Sequence, residues 1–315
     1  MSDVKAATTT IVTPGKKVRP YLVDLIVRLV KQKPLGTFGG IMVLLMFFIG
    51  IAAPLVAPYP PNATNADAIL APPSTHFLLG TDNLGRDLLT RIIYGARISV
   101  SVGLAVPAIQ IVVALLIGLP SGFKGGKYDI IIQRFIDGWM CIPNFLMLIT
   151  LMSLIGPGLL KVILVLGIAG GITMSRTIRG TVISIRTNTY VQAAEALGTP
   201  TWKTLLRHIL PNIMPVVIVL FTMGMASSIL QEANLSFLGF GVPPPNPTWG
   251  GMLSQDGRRY MMISPGIALW PGLALSVVVY SISMLGDAIR DLQDPRLKGG
   301  AGSYVRKARP KRHLL

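Results

Sequence analysis

The sequence predicts an all-α, polytopic membrane protein with six transmembrane helices, and three observations carry that expectation. Of 315 residues, 51% are hydrophobic and 13% charged, against roughly 25% charged in an ordinary soluble domain. Charge this sparse cannot cover a water-facing surface of that size. Apolar residues fall in long uncharged runs, each near the roughly 20 residues that a helix needs to cross a bilayer core of about 30 Å. The remaining charge is lopsided, with 29 Lys/Arg against 13 Asp/Glu and a net charge of +16. The apolar content excludes a disordered chain. The single cysteine, Cys141, excludes a disulfide framework and a cysteine-based metal site.

The first span is expected over residues 36–57. It follows a basic tail of 35 residues without a small-residue cleavage context, so it reads as a retained anchor and not a signal peptide. The second is expected over 98–123, the third over 138–160, the fifth over 212–231 and the sixth over 261–286. The fourth is shorter: 162–175 is charge-free, and 158–179 becomes long enough if Lys161 snorkels to one interface while Arg176 and Arg179 reach the other. Pro107, Pro143, Pro215 and Pro271 interrupt spans and permit kinks.

Six spans place both termini on one side. Sorting the basic residues by loop puts 23 of them on the side of the termini and six on the other. The positive-inside rule then assigns both termini, the second loop and the fourth loop to the cytoplasm. Residues 1–35 become a cytoplasmic tail, 58–96 an extracytoplasmic loop, 97–290 a five-helix core and 291–315 a basic cytoplasmic tail. That last tail has the charge to touch phosphates but no aromatic platform or nucleic-acid motif, so it reads as a topology signal beside anionic lipid.

Catalytic chemistry is not legible. His76, His208 and His313 lie in three distant segments, and no zinc-protease or nucleophile-elbow pattern occurs. The stretch from Gly198 to Thr204 lacks the glycine before Lys203 and carries Pro200 where a phosphate loop needs backbone N–H donors. Arg134 and Asp137 have the spacing of an ion pair or of a marker for a conducting path. Glu232 closes the fifth span and reads as an interfacial or packing group before a proton relay.

The fourth loop, 180–210, has no linker composition. Tyr190 to Gly198 reads as a short alanine-supported helix with Gly198 as its left-handed stop. Thr199 is expected as an N-cap and Pro200 at the first position of a second helix. That helix runs amphipathically from Trp202 to Pro211, where the fifth span begins. From physics alone it reads equally as a docking element for a cytosolic partner or as an interfacial helix.

Gln192, Ala193, Ala194, Glu195 and Gly198, followed by Leu210 and Pro211, resemble the EAA loop of permease subunits of bacterial ABC importers. Two positions depart from the family pattern: Gln192 stands where the motif has Glu, and His208 where it has an aliphatic residue. More of the chain agrees with the peptide- and nickel-importer branch and with its second, C-type permease. These stretches are Gly80, Asp82, Gly85, Arg86 and Asp87; residues 94–99; 233–241; 245–250; 270–272; and the charged run Asp287, Arg290, Asp294 and Arg296, expected to fix the end of the sixth helix. The outer motif reads either as a loop-internal tie or as part of a receiving surface for a binding protein.

The resemblance implies a permease subunit in the cytoplasmic membrane of a bacterium or archaeon, with a cytoplasmic coupling-helix loop at 191–197. A homologous second permease, two cytosolic ATPases and an extracytoplasmic solute-binding protein complete the implied importer. It binds no cofactor itself, since ATP is used by partner subunits. Alternating access would carry dipeptides, oligopeptides, nickel chelates or glutathione-like solutes. The competing reading is a stand-alone secondary carrier or channel, whose expected midplane carboxylates or inverted repeat the sequence does not offer.

Overall fold

The computed structural model describes residues 21–293. An amphipathic helix, α1 (Tyr21–Gln32), precedes α2 (Pro34–Ile51), and a short α3 (Ala53–Val56) ends the first crossing. After an irregular segment follow α4 (Leu88–Lys124), α5 (Gly126–Met140), α6 (Asn144–Ile155) and α7 (Leu159–Arg186). Next come two short helices, α8 (Thr189–Ala196) and α9 (Thr201–Thr204), and then the long α10 (Leu210–Phe237). The short pair α11 (Trp249–Leu253) and α12 (Gln255–Tyr260) leads into α13 (Gly266–Gln293). Among the described residues there is no strand, as the composition predicts. Among the described residues five helical runs are long and apolar enough to cross a membrane, and the bent pair α5–α6 brings the number to six when it is counted as one broken span.

Several crossings differ from the predicted ones for identifiable reasons. The third, expected as one helix over 138–160, is broken: α5 and α6 meet at 84°. Pro143 has no N–H to donate and disfavours helical geometry at Ile142, so the break falls there. Pro107, Pro215 and Pro271 lie inside continuous helices. The fourth, expected as the least regular, is a helix of 28 residues. The second begins ten residues earlier than predicted, at Leu88, because Asp87 caps it: its carboxylate accepts from the Thr90 amide at 2.8 Å.

Small residues let the helices approach closely, which is how helices associate where no hydrophobic force separates protein from lipid. On α4, a Cβ added at Gly118 would lie 2.7 Å from the Ser175 carbonyl oxygen, and one at Gly122 2.8 Å from that of Arg179. On α7, Gly167 and Gly171 receive Ile109 and Val113 in the same way. Val102, Val106, Leu148, Met152, Val162 and Leu166 form the core at one end of this packing. Ile178, Val182, Val191, Ile209 and Ile213 form it at the other.

The two described ends meet. Lys33 donates to Asp291 at 2.6 Å, tying the start of α2 to the end of α13. The charge cluster expected at the end of the sixth helix therefore works through Asp291, which the sequence reading did not single out. Asp294 and Arg296 lie outside the described residues, as do Lys5, Lys16, Lys17, Arg19 and the basic tail after Asp294.

Candidate functional site

Two regions hold the motif residues, at opposite ends of α7 and α10. At one end α8 ends at Gly198, whose φ of +75° is the left-handed stop its sequence requires. Val191 and Ala194 are buried, and Val191 packs in one cluster with Ile178 and Val182 of α7 and Ile213 of α10. Gln192, Ala193, Glu195 and Gly198 face outward. Gln192 Nε2 donates to the Thr187 carbonyl at 3.3 Å. Glu195 stands 3.6 Å from Arg186 Nε, and the Arg186 guanidinium lies over the Phe123 ring. Leu197 is 86% exposed and Trp202 65%, so an apolar rim surrounds the exposed small residues.

The second short helix starts one residue later than expected. Pro200 occupies the cap position in extended geometry and Thr201 is the first helical residue, so Thr199 is not the cap. Beyond it the chain stays helical to Phe237. Residues 205–209 form a π turn, and Leu210 and Pro211 open α10. Pro211 removes a donor and crowds the carbonyl four residues back, and the wider turn relieves that crowding without breaking the helix.

At the other end, Gly80, Asp82, Gly85, Arg86 and Asp87 form a buried polar knot. Asp82 accepts from the amides of Leu84 and Arg86 at 2.9 and 3.0 Å and from Arg86 Nε at 2.6 Å. Arg91 Nε sits 3.5 Å from the same carboxylate. Asp82, Arg86 and Arg91 are all under 9% exposed. Thr81 binds both the amide of Ala71 and the carbonyl of Ala68 through its hydroxyl. Gly85 has φ +71°, and a side chain there would strike the Asn65 backbone. Asp82 is thus bonded from within its own segment and from the first turn of α4.

A third group of charges was only half legible. Arg134 does approach Asp137, at 3.4 Å, but from a side chain 80% exposed. The closer partner of Asp137 is Arg176 on α7, and Arg179 Nε donates to Asp129 at 2.6 Å. Ser121, at the end of α4, also donates to Asp129. Arg176 and Arg179 share a face of α7 while Asp129 and Asp137 lie eight residues apart on α5, so the spacing of neither pair points to the other. Glu232 is buried within α10 and accepts from Ser236 Oγ at 2.6 Å, a packing arrangement. Among the described residues no group of three or more His, Cys, Asp or Glu is placed to hold a metal ion.

Long apolar helices in close small-residue contact, with an exposed short helix before α10, define a polytopic helical membrane protein. Residues 88–299 match the family described as the binding-protein-dependent transport system inner membrane component. Residues 22–73 match the N-terminal TM domain of oligopeptide transport permease C. The chain belongs to the first of these families, and is a membrane permease subunit of an ABC importer. It is 37% identical over 84% of its length to the di/tripeptide transport system permease protein DppC of Pseudomonas aeruginosa, covering 90% of that protein. To the oligopeptide transport system permease protein OppC of Bacillus subtilis it is 36% identical over 85% of its length and 88% of the relative's. To a probable peptide ABC transporter permease of Sinorhizobium fredii it is 40% identical over 93% of its length and 99% of the relative's.

Proposed function

We propose that this subunit translocates di- or oligopeptides and converts the motion of two cytosolic ATPases into reorientation of its helices. One observation carries the reading: α8 is anchored from beneath by Val191 and Ala194 while it offers Ala193, Leu197 and Gly198 to the outside. A helix so held moves as one piece with α7 and α10, and its small outward residues let a partner's groove approach closely. The peptide-transport names of the relatives support the substrate class.

The same reading places both termini and α8 in the cytoplasm, supported by the excess of Lys/Arg on that side and by the Lys33–Asp291 tie. A homologous permease completes the pathway, and an extracytoplasmic binding protein delivers the solute. This chain performs no bond cleavage and holds no cofactor, with ATP consumed in the partner subunits. The sparse ionisable groups support that division, and two carboxylates of α5 are taken up in ion pairs with α7, Asp129 with Arg179 and Asp137 with Arg176.

Reconstitution tests the proposal. Proteoliposomes carrying both permeases, the ATPases and the binding protein should accumulate dipeptide only when ATP is supplied to the ATPase side. Uptake that persists with this chain alone overturns the importer reading in favour of a secondary carrier. Accumulation of nickel chelates with no peptide uptake overturns the substrate class.

A further inference from the structure

At the end opposite α8, a cavity of about 420 Å³ opens beside the polar knot. That volume falls within the roughly 300–1,000 Å³ of small-molecule sites. Its walls are the knot itself, Pro157 at the turn before α7, the segment after α10, and the pair α11–α12. Leu88, Val242, Met252 and Ile267 supply apolar surface, while Arg86, Arg91, Asp82 and Asp256 supply charge of both signs.

The charges are not fully used. Arg86 is 8% exposed and spends only Nε, on Asp82. Among the described residues nothing accepts from its two Nη groups, although a guanidinium offers five donors in a rigid fork. These Nη groups line the open cavity, where a solute can reach them. Arg91 gives one Nη to the Pro61 carbonyl at 3.2 Å and shares Asp82 with Arg86. On α12, Asp256 also lines the cavity; it accepts from Asn83 at 3.1 Å through one oxygen and lies near enough to Arg91 to interact with its charge. The cavity therefore presents free guanidinium donors and a free carboxylate oxygen on different elements, with apolar walls between.

We infer that this cavity is a subsite for a short zwitterionic solute, its carboxylate on the Arg86 fork and its ammonium at Asp256. Planar bidentate recognition of a carboxylate is what a guanidinium does best. The termini of an extended dipeptide lie about 7 Å apart, a span two residues of chain can cover. A solute so held would dock at the outer mouth before it enters the membrane. The inference rests on the peptide-import reading and adds to it a binding site on this chain.

The test uses the assembled transporter. Cys141→Ser removes the single thiol of this chain, Met252→Cys places one on the cavity wall, with Ile267→Cys as a second reporter should the first fail to assemble, and labelling is read on this subunit after it is separated from its partners. Methyl methanethiosulfonate labels the thiol with and without Ala-Ala. Ala-Ala should slow labelling about fivefold, the factor 1 + [L]/Kd at about four times its dissociation constant. N-acetylalaninamide, which has neither charge, and inorganic phosphate should not slow it. Adding Asp256→Asn should abolish the protection while leaving labelling itself intact. No slowing by Ala-Ala, or equal slowing by the neutral analogue or by phosphate, overturns the subsite. ATP-driven peptide uptake by the native assembly is measured alongside: uptake without protection sinks the subsite alone, and loss of uptake in the native assembly sinks the peptide-import reading.

Discussion

The knot around Asp82 and the loop around α8 are both motif-bearing, and they spend their residues in opposite ways. At the knot, the Asp82 carboxylate binds two amides and two arginines, Asp87 caps a helix, and Gly80 and Gly85 occupy left-handed geometry against neighbouring backbone. At α8, Val191 and Ala194 are committed inward, Ala193 and Leu197 are exposed, and nothing lies within 4 Å of a Cβ built at Gly198. A carboxylate buried and satisfied from its own loop, as Asp82 is, maintains structure, while the unspent Nη groups of Arg86 beside it face the cavity. A motif whose small residues stay exposed on an anchored frame is presenting a surface. Substitutions should therefore cost folding at the first and function at the second.

The largest effect is expected at Gly85. Its φ of +71° is strained for any β-branched residue, and its Cβ direction runs into Asn65. Gly85→Val should cost about 4 kcal/mol through strain and overpacking, enough to deplete the protein from the membrane. Immunoblotting of membrane fractions reads this directly. Asp82→Asn should follow, because it removes the carboxylate bonded to Arg86 and nearest to Arg91; breaking a buried pair from one side costs about 3 kcal/mol. A clear fall in the melting temperature of the purified subunit is the expected result. Unchanged melting would mean that the knot is not what holds the 58–87 segment.

How far the sequence disclosed this contrast depended on the range of each interaction. Local signals were readable: the α8 helix with its glycine stop, Asp82 and Arg86 four residues apart, and the apolar runs that became crossings. Interactions between distant segments were not. Lys33 meets Asp291 across 258 positions and Arg176 meets Asp137 across 39, and no spacing rule connects such pairs. The break at Pro143 was marked only as a kink, since a proline inside an apolar run bends one helix and ends another according to its neighbours. The unpaired donors of Arg86 depend on what lines a cavity, which only packing decides.

At Gly198 the comparison turns from stability to coupling. Nothing lies within 4 Å of a Cβ built there, so the cost of substitution is the left-handed backbone alone. Asp tolerates that region better than most residues, at about 1 kcal/mol. Gly198→Asp should therefore reach the membrane at near-normal levels and melt close to the native temperature. Placed on the surface offered to the ATPases, it should lower peptide uptake about tenfold, a change equivalent to 1.4 kcal/mol, while the complex continues to hydrolyse ATP. Retained coupling would show that α8 is not the transmitting element.

The smallest stability effect is expected at Glu195, and it is the sharpest test of the contrast because its ion pair resembles that of Asp82 on paper. Both are carboxylates beside an arginine. The Glu195–Arg186 contact is longer, at 3.6 Å, and its side chains are 37% and 42% exposed, against 6% and 9% for Asp82 and Arg86. Exposed pairs contribute about 0.5 kcal/mol, and salt screens most of that. Arg186 also keeps its place through the Phe123 ring, 5.2 Å from its guanidinium carbon. Glu195→Gln should thus leave the melting temperature unchanged and insensitive to added salt. If the exposed carboxylate meets a basic group on the ATPase, the same substitution should weaken retention of the ATPase during purification, most visibly at low ionic strength. A melting loss as large as that of Asp82→Asn would erase the distinction between the two regions, whereas normal melting with weakened retention would place Glu195 on the presented surface.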